Sequence, residues 1–149
     1  MANVLRKGII PYGGSYKGDG TRVAEGALGF GVPVQLGTDP DKQVETYAGG
    51  TFWGISVRDE TLTALDGSGN VVTYSYYPNK YPVSIIRQGY IVVEVAEAVD
   101  AGDPVYVHNT SGKFYKSADG SDRTLISGLQ YETSAGENEQ AILSANLPA

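Results

Sequence analysis

His108 is the chain's one imidazole, and it sits beside Asn109-Thr110-Ser111-Gly112, where an apolar run gives way to a turn. As a general base it would need a nucleophile to deprotonate and a carboxylate to orient it, and no spacing in the sequence assigns either. A lone imidazole cannot build a His-rich metal site. With no cysteine there is also no thiolate nucleophile and no Cys-ligated zinc or iron–sulfur centre. The Gly-x-x-x-x-Gly-Lys-Ser/Thr, Gly-x-Ser-x-Gly and His-Glu-x-x-His patterns are missing, and Gly18-Asp19-Gly20-Thr21 lacks the strand-to-helix setting of a dinucleotide loop. Arg58-Asp59-Glu60 closes an apolar run and reads as a solvated strand end, and Asp39-Pro40-Asp41-Lys42 reads as a turn. Asp66-Gly67-Ser68-Gly69-Asn70 is too short for a calcium loop and lacks its spaced carboxylates and terminal Glu. Two acids distant in sequence could still converge as a glycosidase pair without a local signature. The expectation is nonetheless a chain with no catalytic residue, no cofactor and no metal, in which His108→Ala changes nothing.

What the chain has in quantity is tyrosine: eleven, against three phenylalanines and one tryptophan. Tyrosine suits a surface that is dry on one side and wet on the other, and it also has high strand propensity. Both readings stand. The segment Tyr74-Ser75-Tyr76-Tyr77-Pro78-Asn79-Lys80-Tyr81-Pro82 is too proline-rich for a helix or a central strand, so it belongs on a sheet edge or in an excursion. Its aromatic faces either meet a partner or form a rigid surface loop. The candidate contact residues are Tyr74, Tyr76, Tyr77 and Tyr81 from this segment, with Tyr12 and Tyr16 from the early chain.

The elements that must position these side chains are strands. A chain of 149 residues, 41% hydrophobic, is the size of one domain with a real core. Its 20 glycines and 7 prolines are spread without period and punctuate short elements. Eight apolar runs read as strands: Val32 to Leu36, Thr51 to Val57, Val71 to Tyr77, Val83 to Ile86, Tyr90 to Val95, Pro104 to Val107, Leu125 to Tyr131 and Ala141 to Leu143. Asp66 to Asn70 reads as the loop of a hairpin joining Thr61–Leu65 to the run at Val71. The fold expected is an all-β, single-domain β-sandwich, jelly-roll-like, over residues 23–149. Residues 1–22, with Gly13-Gly14 and Gly18-Asp19-Gly20, read as an extended glycine-rich N-terminal arm or loop. Phe52-Trp53 adjoins the run Gly54-Ile55-Ser56-Val57, which places Trp53 in the core.

An internal repeat organises the domain. Val23-Ala24-Glu25, Gly31-Val32-Pro33-Val34 and Gly54-Ile55-Ser56-Val57 recur, 71 to 74 residues on, as Val95-Ala96-Glu97, Gly102-Asp103-Pro104-Val105 and Gly128-Leu129-Gln130-Tyr131. Gly-x-Pro-Val is common turn-to-strand wording, but three matches in the same order point to two similar β-halves, about 23–60 and 95–133.

The net charge of −6 opposes the counterion release that drives binding to phosphate backbones, so nucleic acid is not an expected partner. Nor is a membrane: no stretch approaches the roughly 20 apolar residues of a spanning helix. The basic pair Arg6-Lys7 follows the first apolar residues, and Pro11 cuts the next run short, unlike an export signal.

Gly37-Thr38-Asp39-Pro40-Asp41-Lys42-Gln43-Val44 and Phe52-Trp53-Gly54-Ile55-Ser56-Val57-Arg58 are followed by Val83-Ser84-Ile85-Ile86-Arg87-Gln88-Gly89-Tyr90-Ile91-Val92-Val93-Glu94-Val95. Next come Ala101-Gly102-Asp103-Pro104-Val105-Tyr106-Val107 and Gly112-Lys113-Phe114. In this order, over about residues 28 to 145, the phrases resemble the cement, or decoration, proteins of tailed-phage heads. The resemblance implies a non-enzymatic β-sandwich that binds the major capsid protein on the outside of the shell and reinforces it. It also implies a homo-oligomer, dimer or trimer, located on the virion exterior and assembled in the host cytoplasm. A carbohydrate- or host-surface-binding module is the alternative, since exposed Tyr and Trp stack well on sugars; a small glycosidase is the minor one.

Overall fold

The computed structural model of the chain describes residues 6–11, 16–65 and 67–148, and of Ala64 the backbone only. Fourteen strands run through these residues: β1 (Lys17–Asp19), β2 (Val23–Ala24), β3 (Leu28–Gly29), β4 (Pro33–Leu36), β5 (Gln43–Thr46), β6 (Phe52–Ser56), β7 (Thr63–Leu65), β8 (Val71–Thr73), β9 (Tyr76–Tyr77), β10 (Ile85–Glu94), β11 (Pro104–His108), β12 (Phe114–Tyr115), β13 (Arg123–Tyr131) and β14 (Gln140–Asn146). The fold is all-β, and among the described residues no helix is long and apolar enough to cross a membrane.

The principal sheet has the order β12-β11-β13-β14-β10-β6-β4-β5-β2, with β1 also on β10; β3-β9 and β7-β8 form two small sheets. The order is the same read from either side of the β10–β14 junction. In the first half β4 lies between β5 and β6, and β6 pairs with β10; in the second β11 lies between β12 and β13, and β13 pairs with β14, all antiparallel. Beyond that core, β2 runs parallel to β5, and Val95 makes a parallel bridge to Phe114. The strand pairings on the two sides are therefore equivalent, and the sides join where β10 meets β14 from Gln88↔Asn146 to Glu94↔Gln140.

The repeated Gly-x-Pro-Val explains why both sides turn alike. Gly31 and Gly102 have φ of 67° and 93°, a region that side chains with a Cβ disfavour. Each gives its N–H to the strand opposite, Gly31 to Ser56 O at 2.8 Å and Gly102 to Tyr131 O at 2.7 Å. The bonds are returned by Ser56 N to Val32 O (3.0 Å) and Tyr131 N to Asp103 O (3.1 Å). The prolines then open β4 and β11.

The core lies on both faces of β10. Ile85 belongs to a cluster with Ala24, Leu28, Phe30, Val34, Val44, Tyr77 and Val83. Ile86, one residue on and so on the opposite face, belongs with Ile91, Val93, Val105, Val107, Leu129 and Tyr131. Core on both faces is consistent with a sandwich-like arrangement.

Three element expectations are corrected. Val83 to Ile86 and Tyr90 to Val95 are not separate strands: β10 runs from Ile85 through both, Gly89, at φ 136°, carries the backbone across, and β14 pairs over the join. Val71 to Tyr77 is not one strand. Its ends have different partners, β8 pairing with β7 in the foreseen hairpin and β9 with β3. Trp53 is half-buried at the edge of the core, packed against the Ile85 cluster and not inside it.

The described parts of residues 1–22 lie along the sheet. Gly8 N donates to Val92 O at 2.6 Å, Val92 N to Ile9 O at 3.0 Å and Arg58 N to Gly8 O at 2.7 Å, while β1 pairs with β10. A Cβ on Gly18 would meet Ile85 O at 2.1 Å, so this approach requires glycine. The remaining arm residues, 1–5 and 12–15 with Tyr12 among them, lie outside the described residues.

Candidate interaction surface

In the second half β13 passes to β14 through residues 132–139; in the first, β6 passes to β10 through residues 57–84. This longer passage carries most of the tyrosines singled out above. Leu62 O accepts from Tyr74 N at 2.9 Å and closes the base of the β7–β8 hairpin, beyond which Leu65 and Val71 are 69% and 71% exposed. Val72 and Tyr76 are also exposed. The ring of Tyr74 meets those of Tyr76 (5.6 Å) and Tyr81 (5.9 Å) edge-on, giving a connected aromatic patch beside apolar hairpin residues.

Tyr77 does something else. It has no exposed surface, its ring lies edge-on to Phe30 at 5.2 Å, and its hydroxyl donates to Val57 O at 2.6 Å. Burial pushes its hydroxyl pKa up to about 12. Side chains alternate across a strand, so Tyr76 and Tyr77 of β9 face opposite ways, and Tyr77 is the anchor that ties the excursion to the core. As a surface contact residue it is corrected: partner and core cannot share its ring. Tyr16 is 37% exposed and lies against Gly89.

Trp53 forms a second cluster that the sequence did not foreshadow. The guanidiniums of Arg22 and Arg87 lie over its ring, 4.5 and 3.9 Å from the centroid, and Nε1 donates to Asp19 Oδ2 at 2.8 Å. Arg87 also donates to Trp53 O and to Pro148 O, so one cluster joins β1, β6, β10 and the chain's last described residue. Burial alone would raise the Asp19 carboxyl, but hydrogen bonds from Thr21 N, Thr21 Oγ1, Trp53 Nε1 and Arg22 outweigh it and hold the pKa at about 2. An indole so covered by guanidiniums is a clamp and offers no open platform for a sugar ring.

His108 is likewise occupied. Nδ1 accepts from Thr110 N at 3.2 Å and Ser111 N at 3.0 Å, which fixes it as the acceptor of a turn. Among the described residues no three His, Cys, Asp or Glu side chains stand close enough to hold a metal ion. A hollow of about 540 Å³ in the second half, wide open to solvent, is lined by residues 98–100 and 134–136 with Glu139 and Gln140.

Comparison with known proteins adds a direct finding. The sequence profile of the structural cement protein family (E217 gp24/Pam3 gp6) matches residues 5–146. No curated protein matches the sequence. Among solved structures, a chain from the capsid of Myoviridae phage XM1 has the same fold, with a TM-score of 0.70 over 98% of this chain and 92% of that one, at 18% identity.

Proposed function

This chain belongs to the family of phage structural cement proteins, and from that premise we propose that it binds the outer surface of the shell through the 57–84 excursion. Its role is structural, in association with the phage capsid, and its place is the virion. The partner in this reading is the major capsid protein, with copies of the chain meeting as a dimer or trimer after assembly in the host cytoplasm. The observation that carries it is the surface of the excursion. Exposed Tyr76, Leu65, Val71 and Val72, backed by the half-buried Tyr74 and Tyr81, put aromatic and aliphatic side chains at the surface on a segment whose counterpart in the other half is a short turn. Exposed apolar residues gathered in one place mark docking sites, and tyrosine is enriched where a few side chains carry most of the binding energy. Many copies on a symmetric lattice then multiply a modest interface. Tyr16, and Tyr12 from the early chain, stand as a second and smaller contact region.

The test uses shells assembled without this chain, to which purified protein is added and bound copies are counted. Changing Tyr74, Tyr76 and Tyr81 together to Ser is expected to leave the melting temperature close to wild type and to lower occupancy at limiting protein. Wild-type occupancy by the triple variant would remove the excursion from the contact. Binding that ignored shells and tracked a glycan would favour the sugar-binding reading.

A further inference from the structure

We propose that Arg58 is the receptor for a carboxylate side chain of the shell protein, in a notch between Arg6 and the tyrosine excursion. This rests on the capsid-docking reading and names the chemistry of its polar contact. The notch, about 380 Å³, is lined by Arg6, Phe30, Arg58, Glu60, Tyr74 and Ser75, so it adjoins the tyrosine patch through Tyr74. The Arg58 guanidinium lies over the Phe30 ring, 5.1 Å from its centroid, and Nε donates to Lys7 O at 3.0 Å. Phe30 is itself buried and held by Tyr77. The ring contact and the Nε bond hold the guanidinium from two sides. The end-on edge made by the two terminal nitrogens has no hydrogen-bond partner among the described residues. A planar fork held in this way is matched to a bidentate carboxylate.

Charge favours the same occupant. The chain carries −6 overall, yet this notch holds two guanidiniums and one carboxylate, and that carboxylate, Glu60, is paired with Arg6. Partial burial, with Arg6 close by, lowers the pKa of Arg58 against the opposing pull of the Glu60 carboxylate, so its charge still gains from an incoming anion. A polyphosphate would bring many charges against the net charge of the whole protein, whereas one Asp or Glu side chain meets only the local cation. Lattice partners supply such side chains at fixed positions.

The measurement compares wild type with Arg58→Met, which keeps a stem of similar length over Phe30 but loses the charge, and with Arg58→Lys. All three are titrated onto shells lacking this chain, and onto the same shells after surface carboxylates have been converted to neutral amides. Circular dichroism and melting curves verify the fold. On untreated shells Arg58→Met is expected to bind roughly tenfold more weakly, the size of one charge-assisted hydrogen-bonded contact, with Arg58→Lys between the two. On amidated shells the difference between wild type and Arg58→Met should vanish. Equal binding of wild type and folded Arg58→Met to untreated shells would overturn the proposal and leave capsid docking intact. A gap that survives amidation would also overturn it, since the guanidinium would then meet something other than a carboxylate. Failure of wild type to bind any shell would overturn the docking reading and this inference together.

Discussion

The two halves of the sheet solve the same problem with different economy. Each sets a central strand after a positive-φ glycine and a proline, β4 in one and β11 in the other, and each closes through a strand of the β10–β14 junction. In the second half the closure takes residues 132–139, and Val99 bridges to Ala135 over an open hollow. In the first, Leu28 pairs with Tyr77, Phe30 packs on that tyrosine, and the chain travels through residues 57–84 before returning. The shorter half demonstrates that the strand framework does not need the hairpin or the exposed tyrosines. Leu65 and Val71 stay in water on a segment that the second half does without, and the proposed docking surface is built on it.

The comparison can be broken by perturbing framework and excursion separately. The largest effect is expected at Tyr131, which is fully buried and donates its hydroxyl to Tyr115 O at 2.9 Å. Tyr131→Ala should cost about 3–5 kcal/mol in denaturant titration, the range for truncating a buried aromatic. A loss below about 1 kcal/mol would mean the second half is not the framework it is taken for.

Next comes the Asp19 clamp, centred on β1 and β6 and reaching Pro148 through Arg87. The folded carboxyl titrates at about 2 and the free one at 3.8, so its contribution is complete above about pH 4 and is lost as pH falls toward 2. Asp19→Asn should lower stability at pH 7 by about 2 kcal/mol and flatten the decline between pH 4 and 2. Equal acid sensitivity in both proteins would show that the clamp is not what fails. Trp53 fluorescence reports the same event, since Nε1 donates to this carboxylate.

A smaller effect separates the two tyrosines of β9. Tyr77→Phe removes the bond to Val57 O and should cost about 1 kcal/mol, while Tyr76→Ser, at an exposed position, should change stability by less than about 0.5 kcal/mol. The reverse order would exchange their roles.

The smallest change in stability is expected from the largest cut. Because Tyr74 N bonds to Leu62 O, residues 63–73 can be replaced by a short glycine-containing turn. The melting temperature should stay within a few degrees while shell occupancy falls. A collapse in stability would make the hairpin part of the framework.

Short apolar runs, the Asp-Gly turn and the repeated Gly-x-Pro-Val determined the all-β class, the β7–β8 hairpin and the like turns that open β4 and β11, because these depend on local backbone preference and on which residues must leave water. The family resemblance was legible for the same reason, being carried by ordered strand phrases. The sequence could not tell Tyr76 from Tyr77, adjacent residues of one type, since only the pairing of β9 with β3 decides which ring turns inward. It could not place Trp53, whose stacking partners Arg22 and Arg87 lie on distant segments brought together by the sheet, nor join the two runs flanking Gly89, where β1 and β6 pair with the first part of β10 and β14 with the rest. Each of these depends on contacts between residues far apart in the chain, and those exist only once the sheet has closed.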